Sequence, residues 1–247
     1  MRFFIELSYN GKAYHGWQYQ PNAISVEEVV EGGLSKLLKT KIGIAGAGRT
    51  DAGVHAEQMF AHFDYVKVFD IEQIVYKLNA FLPNDISIQN IFQVKNDTHA
   101  RFDALSRTYN YKITQKKDVF NSEGSYYLKH KLDITKMNEA AKILFDYRNF
   151  KCFSRSNTDV KTYNCNIMKA EWNENNNQLV FTIRADRFLR NMVRAIVGTM
   201  LDVGFGKTTI EEFHKIIKSE NRIKAGASVP AQGLYLSVIE YDKKIFI

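Results

Sequence analysis

Arg49 and Asp51 stand two residues apart in the segment Ala45-Gly46-Ala47-Gly48-Arg49-Thr50-Asp51-Ala52-Gly53-Val54-His55-Ala56, where glycines and alanines surround one guanidinium and one carboxylate. A carboxylate kept beside a fixed arginine stays ionised even where water is excluded. That is the state a nucleophile or general base requires. In extended chain, residues i and i+2 point to one side of the backbone, so the spacing fits a pair serving one site. Residue type alone leaves a second role open for Asp51, as the acceptor of an Asx-turn or helix cap. Glycine serves where backbone turns tightly or approaches a ligand closely. With no bulky side chain to build a core, the segment is expected to admit a large guest, such as a nucleotide turned out of its stack.

Three other groups could assist. Arg187, Arg190 and Arg194 fall at i, i+3, i+7 of an apolar helical pattern and are expected to form a basic stripe. Arg194 is crowded by Met192, Val193, Ile196 and Val197, so it should emerge at the edge of the core and seek a carboxylate, with Asp51 as the candidate. Arg101, Arg107, Tyr109 and Tyr111 interleave cations with aromatic rings, which suits base stacking beside phosphate contacts and equally suits a strand with core tyrosines. Tyr14, His15, Trp17, Gln18 and Tyr19 either line the mouth of a cleft or staple a loop. Two nucleotide-binding motifs fail. The third glycine of a dinucleotide fingerprint would fall on Asp51, and the first glycine of a P-loop ending at Gly206-Lys207-Thr208 would fall on Leu201.

These residues need a scaffold, and hydrophobic periodicity supplies one. Phe3, Ile5, Leu7 and Tyr9 alternate, which predicts a half-buried strand over 2–9. Ser25 and Glu28 predict a capping box before a helix ending near Lys39. Strands are predicted over 42–46 and 55–65 around the glycine loop, then a helix from Ile71 to Phe81 stopped by Pro83, and a strand over 86–94. The second half repeats the order: a strand at 109–113, a helix over 134–146, strands over 165–172 and 178–185, the longest helix from Phe188 to Leu201, a helix over 209–218 and a strand from Leu234 to Tyr241. The expectation is an α+β fold with a mixed, mostly antiparallel central sheet flanked by helices. Its two pseudo-repeated halves, 1–100 with the catalytic loop and 101–247, would form one catalytic unit around a basic cleft.

Composition sets the outer bounds. The 247 residues are 45% hydrophobic and 13% aromatic, enough for a sizeable core, and 34 Lys and Arg against 27 Asp and Glu give a net charge of +7 that favours a polyanionic partner. Apolar runs break well before the roughly 20 residues a bilayer span needs, so no membrane partner or targeting segment is expected. Cys152 and Cys165 read as two reduced thiols of a cytoplasmic protein, and the six histidines form no metal-ligand pattern, so no metal or nucleotide cofactor is expected.

Together these residues resemble the tRNA pseudouridine synthase A family. The likeness rests on Gly48-Arg49-Thr50-Asp51-Ala52-Gly53-Val54-His55-Ala56, Arg107-Thr108-Tyr109-Asn110-Tyr111, Phe188-Leu189-Arg190-Asn191-Met192-Val193-Arg194, Val197-Gly198-Thr199 and Gly233-Leu234-Tyr235-Leu236, with Tyr9-Asn10-Gly11 and Gly16-Trp17-Gln18 in support. It spans nearly the whole chain. It implies a cofactor-free isomerase that converts uridine to pseudouridine at positions 38, 39 and 40 in the anticodon arm of tRNA, working as a homodimer. Carried over by position, Asp51 is the catalytic aspartate, Tyr109 stacks on the flipped base, Arg194 pairs with Asp51, Leu234 packs near the base and Arg49 holds the nucleotide out of the stack. The chain departs from the family pattern at Asp146-Tyr147-Arg148-Asn149-Phe150 and at Ala185-Asp186-Arg187-Phe188.

Overall fold

A computed structural model describes residues 1–119, 122–156, 160–175 and 178–247. It is α+β, with five α-helices among the described residues and strands that pair mostly antiparallel. Residues 1–106 together with 235–247 form one compact unit, and residues 107–234 form a second. The last strand of the chain therefore clusters with the first.

In the first unit, strands β1 (Arg2–Tyr9), β2 (Ala45–Gly46), β3 (His55–Asp64), β4 (Ile86–Val94) and β9 (Leu234–Tyr241) pair in the order β4-β1-β3-β9, with β2 on β3. The β1 contacts are antiparallel, whereas β3 and β9 run parallel through His55↔Tyr235 and Ala56↔Leu236. Burial of Phe3, Ile5, Leu7 and Tyr9 matches the alternation, but Phe4 is fully buried as well. Its ring meets Phe60, Phe92 and Tyr241 on the opposite face. The start of β1 is thus covered on both sides rather than half-buried, because a second aromatic cluster packs there.

Helix α1 (Val26–Leu38) begins where the Ser25 side chain accepts the Glu28 amide, and ends where Lys39 turns left-handed at φ 53°. Helix α2 (Ile71–Phe81) is capped by Asp70 and stops at Leu82, whose extended backbone is the conformation a following Pro83 imposes. A Cβ on Gly33 would stand 3.2 Å from the side chains of Leu78 and Leu82, so glycine there lets the two helices approach.

The second unit holds the antiparallel strands β5 (Ala104–Thr114), β7 (Ile167–Asn175) and β8 (Gln178–Ala185), with β6 (Tyr126–Tyr127) on β5. Helices α3 (Ile134–Ile143), α4 (Met192–Gly204) and α5 (Ile210–Lys218) accompany them, and α5 carries a full Thr209/Glu212 capping box. Eleven of the 13 residues of α4 are buried. Cys152 and Cys165 are free and buried, and burial pushes both thiols up to about 12, which makes them unreactive packing residues.

Helix α4 corrects two expectations. It starts at Met192 rather than Phe188 because Asn191 sits left-handed at φ 66°, a conformation a continuing helix excludes. At 13 residues it equals α1 in length and is not longer. Arg187 and Arg190 accordingly precede the helix, and no stripe with Arg194 forms along it. No helix among the described residues is long and apolar enough to cross a membrane.

Candidate active site

The loop between β2 and β3 is suspended from well-packed ends. Ala45 pairs with His62 and Gly46 with Ala61, and the Ala47 amide donates to the Phe60 carbonyl at 2.7 Å. Inside the loop Thr50 is buried, and its hydroxyl lies 2.9 Å from the Tyr9 hydroxyl. The Trp17 amide donates to the Thr50 carbonyl, the Gly53 amide to the Tyr14 carbonyl and the Val54 amide to the Asp51 carbonyl, at 3.3, 3.2 and 3.1 Å. Arg49 is exposed and Asp51 half-buried, so the buried Thr50 is flanked by two charged residues that are both more accessible than it.

The loop is more deeply rooted than its composition suggests. Ala47, Val54, His55 and Ala56 are all buried, so small side chains do build core here. Its glycines also divide by cause. A Cβ on Gly46 would overlap the indole of Trp17, and Gly53 holds a left-handed φ of 76°, so both are required by packing or backbone geometry. At Gly48 a Cβ would meet nothing within 4 Å, so that position faces open space. Gly46→Ala is therefore expected to lower stability by about 1 to 3 kcal/mol through overpacking. Gly48→Ala should stay within about 0.5 kcal/mol of the parent, both read by urea unfolding.

Of Tyr14, His15, Trp17, Gln18 and Tyr19, the structure assigns Tyr14 and Trp17 to the scaffold. Trp17 and Tyr14 are buried, and the Tyr14 hydroxyl donates to Asp85 at 2.5 Å. Burial and that carboxylate push the Tyr14 phenol well above its ordinary range, so it stays protonated. His55, which sequence reasoning gave no role, is also structural. Its Nδ1 accepts the Gly11 amide at 3.1 Å, and its ring stacks on Tyr235 at 4.6 Å. Gln18 remains exposed and accepts from Arg49 Nε at 2.7 Å.

Tyr109, Arg194 and Leu234 lie in the second unit and share supports. Tyr109 sits half-exposed on β5, with its ring held edge-on by Phe188 at 5.1 Å. Tyr111, two residues on, is fully buried and donates its hydroxyl to the Pro230 carbonyl at 2.9 Å, so this tyrosine belongs to the core. Arg194 on α4 is half-buried, and its Nε donates to the Val229 carbonyl at 2.7 Å. A Cβ on Gly233 would lie 2.8 Å from the Tyr111 ring, and Leu234 beside it is 5% exposed. The segment 229–234 is thus pinned to α4 and to β5, and it fixes Arg194 and Leu234 relative to Tyr109's strand. Arg107 Nη1 donates to the Asp186 carbonyl at 2.8 Å, while Arg101 is exposed over Phe102.

The two departures from the family pattern are local structure. Asp186 accepts the amides of Asn166 and Arg187 at 2.7 Å each and so forms its own turn. Phe150 is buried in the core, and the Tyr147 hydroxyl lies 2.8 Å from His214 Nδ1. Among the described residues no group of three His, Cys, Asp or Glu gathers to hold a metal ion.

A family model described as tRNA pseudouridine synthase matches residues 140–242. The tRNA pseudouridine synthase A of Parabacteroides distasonis is 52% identical over 246 residues, 99% of this chain and 98% of the relative. This chain belongs to the tRNA pseudouridine synthase A family. Other members similar to it include those of Bacteroides fragilis, 53% identical over 247 residues, and Bacillus subtilis, 36% identical over 246, covering 99% and 98% of this chain and 98% and 100% of the relatives. Within the tRNA pseudouridine synthase A family this chain is an isomerase, and its most suggestive loop is the one that presents Arg49 and Asp51.

Proposed function

We propose that this protein isomerises uridine to pseudouridine at positions 38, 39 and 40 in the anticodon arm of tRNA, with Asp51 as the catalytic residue. The observation that carries the reading is the half-buried Asp51 carboxylate on a loop fixed by Tyr9, Tyr14 and Trp17. The reaction breaks the C1'–N1 glycosidic bond, turns the uracil and rejoins it through C5. The base must first leave the helix stack, at a cost of a few kcal/mol. Stacking on Tyr109, worth about 1 to 3 kcal/mol per base, offsets much of that cost.

In this reading Arg49 holds the displaced nucleotide, Leu234 packs near the base and Arg194 neutralises Asp51. Asp51 either attacks C1', as the carboxylate of a retaining glycosidase does, or removes the C2' proton to give a glycal. C5 then loses its proton once the new bond has formed. The protein works as a homodimer in the cytoplasm, without metal or cofactor, and its net positive charge of +7 suits a tRNA partner.

The test is product identity. The protein is incubated with tRNA carrying labelled uridine in the anticodon arm, and the digested nucleosides are separated by chromatography. Labelled pseudouridine is expected. Free uracil would point instead to a nucleoside hydrolase, and unchanged uridine with salt-sensitive tRNA binding would point to an RNA-binding protein without turnover.

A further inference from the structure

Glu27 is 6% exposed in the first turn of α1, an expensive place for a carboxylate. Three consecutive residues of the preceding segment converge on it. The Tyr19 amide donates to Oε2 at 2.7 Å, Gln18 Nε2 donates to the same oxygen at 3.1 Å, and the Trp17 indole N–H is a further donor. The backbone closes the same junction, with the Val26 and Glu27 amides donating to the Gly16 and Trp17 carbonyls at 3.2 and 3.0 Å. Burial pushes the Glu27 carboxyl above its ordinary range, and the Tyr19 amide, the Trp17 indole and the charge of Arg49 oppose that rise. The group is buried but well supplied with donors, as a fixed structural carboxylate must be.

What Glu27 holds leads straight to the candidate site. Gln18 spends its amide nitrogen on Glu27 and its amide oxygen on Arg49 Nε, at 2.7 Å. A carboxylate only accepts and a guanidinium only donates, so this orientation of the Gln18 amide is the one that satisfies both neighbours. Gln18 and Arg49 are themselves exposed, and nothing in their own burial would hold a long side chain in one place. Trp17, the third residue gathered by Glu27, lies against Gly46 at the root of the same loop.

We infer that Glu27 is a positioning residue for the reaction, fixing the Arg49 guanidinium through Gln18. The inference rests on the reading that Arg49 holds the displaced nucleotide. It assigns the first turn of α1 a part in catalysis, although Glu27 touches no reacting atom. Glu27→Gln keeps an amide oxygen that accepts from Tyr19 and Gln18. Glu27→Ala and Gln18→Ala release the arginine.

The experiment measures kcat/KM for pseudouridine formation on tRNA for Glu27→Ala, Glu27→Gln, Gln18→Ala and Arg49→Ala, and for the first and third of these combined with Arg49→Ala. Thermal unfolding of each variant is followed alongside. Glu27→Ala and Gln18→Ala are expected to lose about 10-fold or more, the scale of a misplaced positioning group, with Glu27→Gln within about threefold of the parent. In the Arg49→Ala background both losses should shrink to less than about twofold, since residues that act as a unit are not additive. Full losses persisting in that background would overturn the inference and leave Glu27 a purely structural residue. Parent-like turnover of Glu27→Ala and Gln18→Ala would also overturn it. Parent-like turnover of Arg49→Ala would instead remove the reading of Arg49 on which the inference rests. Gln18 is exposed, so its variant keeps the test decisive should Glu27→Ala fail to fold.

Discussion

Asp51→Ala is expected to lower pseudouridine formation by at least about 10³-fold, the scale on which a lost nucleophile or general base is felt. The fold should survive the change. The bonds that suspend the loop run from the Tyr9 and Thr50 hydroxyls and from the backbone of Trp17, Thr50, Gly53, Tyr14, Val54 and Asp51, and alanine preserves all of them. A half-buried position of this kind costs about 1 kcal/mol or less, so urea unfolding should barely move. Binding of tRNA should also persist, because protein–RNA affinity is carried mainly by cationic contacts to phosphates, to which a carboxylate adds nothing. Turnover within tenfold of the parent would mean that Asp51 serves only as a turn residue.

On the proposal that Arg194 neutralises Asp51, Arg194→Ala is expected to cost about 10²-fold in kcat/KM, the scale of removing one partner of a charge pair. Arg190→Ala should cost about threefold or less, as expected of one phosphate contact among several. The contrast has a structural basis. Arg194 is half-buried on α4 and orients its guanidinium through the Val229 carbonyl, whereas Arg190 is exposed in the turn before the helix. Equal effects of the two substitutions on rate would reduce both arginines to a general electrostatic surface.

Local patterns carried most of the fold. The limits of β1, α2, β4, β8 and β9 agree with the hydrophobic alternation and with the Pro83 stop, because these elements are decided by neighbours a few residues away. The misplaced start of α4 shows where such reasoning ends. Phe188 and Leu189 continue the helical period, but Phe188 packs on Tyr109 and Asn191 turns left-handed, and both depend on contacts distant in sequence. The burial of Phe4 escaped for the same reason, since its partners Phe60, Phe92 and Tyr241 lie on three other strands.

The candidate site was legible in its residue types and less so in its supports. Around Thr50 the burial runs exposed, buried, half-buried from Arg49 to Asp51, so the innermost residue of the three is the uncharged one. Three glycines in one loop suggest room for a guest, yet Gly46 answers to Trp17 and Gly53 to its own backbone. Tyr109 and Tyr111 look equivalent in a strand pattern, and only the Pro230 carbonyl and the Phe188 ring separate a core tyrosine from an accessible one. Glu27 gave a weak signal, an acidic residue in a first helical turn, where a dipole or solvent role is the ordinary explanation.

The central claim is that Asp51 acts on uridine in the anticodon arm of tRNA. Its most direct test is a single-turnover comparison of the parent and Asp51→Asn on tRNA tritiated at C5 of its uridines, with modified positions mapped afterwards. Asn keeps the size of the side chain and removes the charge. The account predicts tritium release by the parent with pseudouridine at positions 38, 39 or 40, and no release by Asp51→Asn. Release by Asp51→Asn at the parental rate, or pseudouridine only outside the anticodon arm, would contradict it.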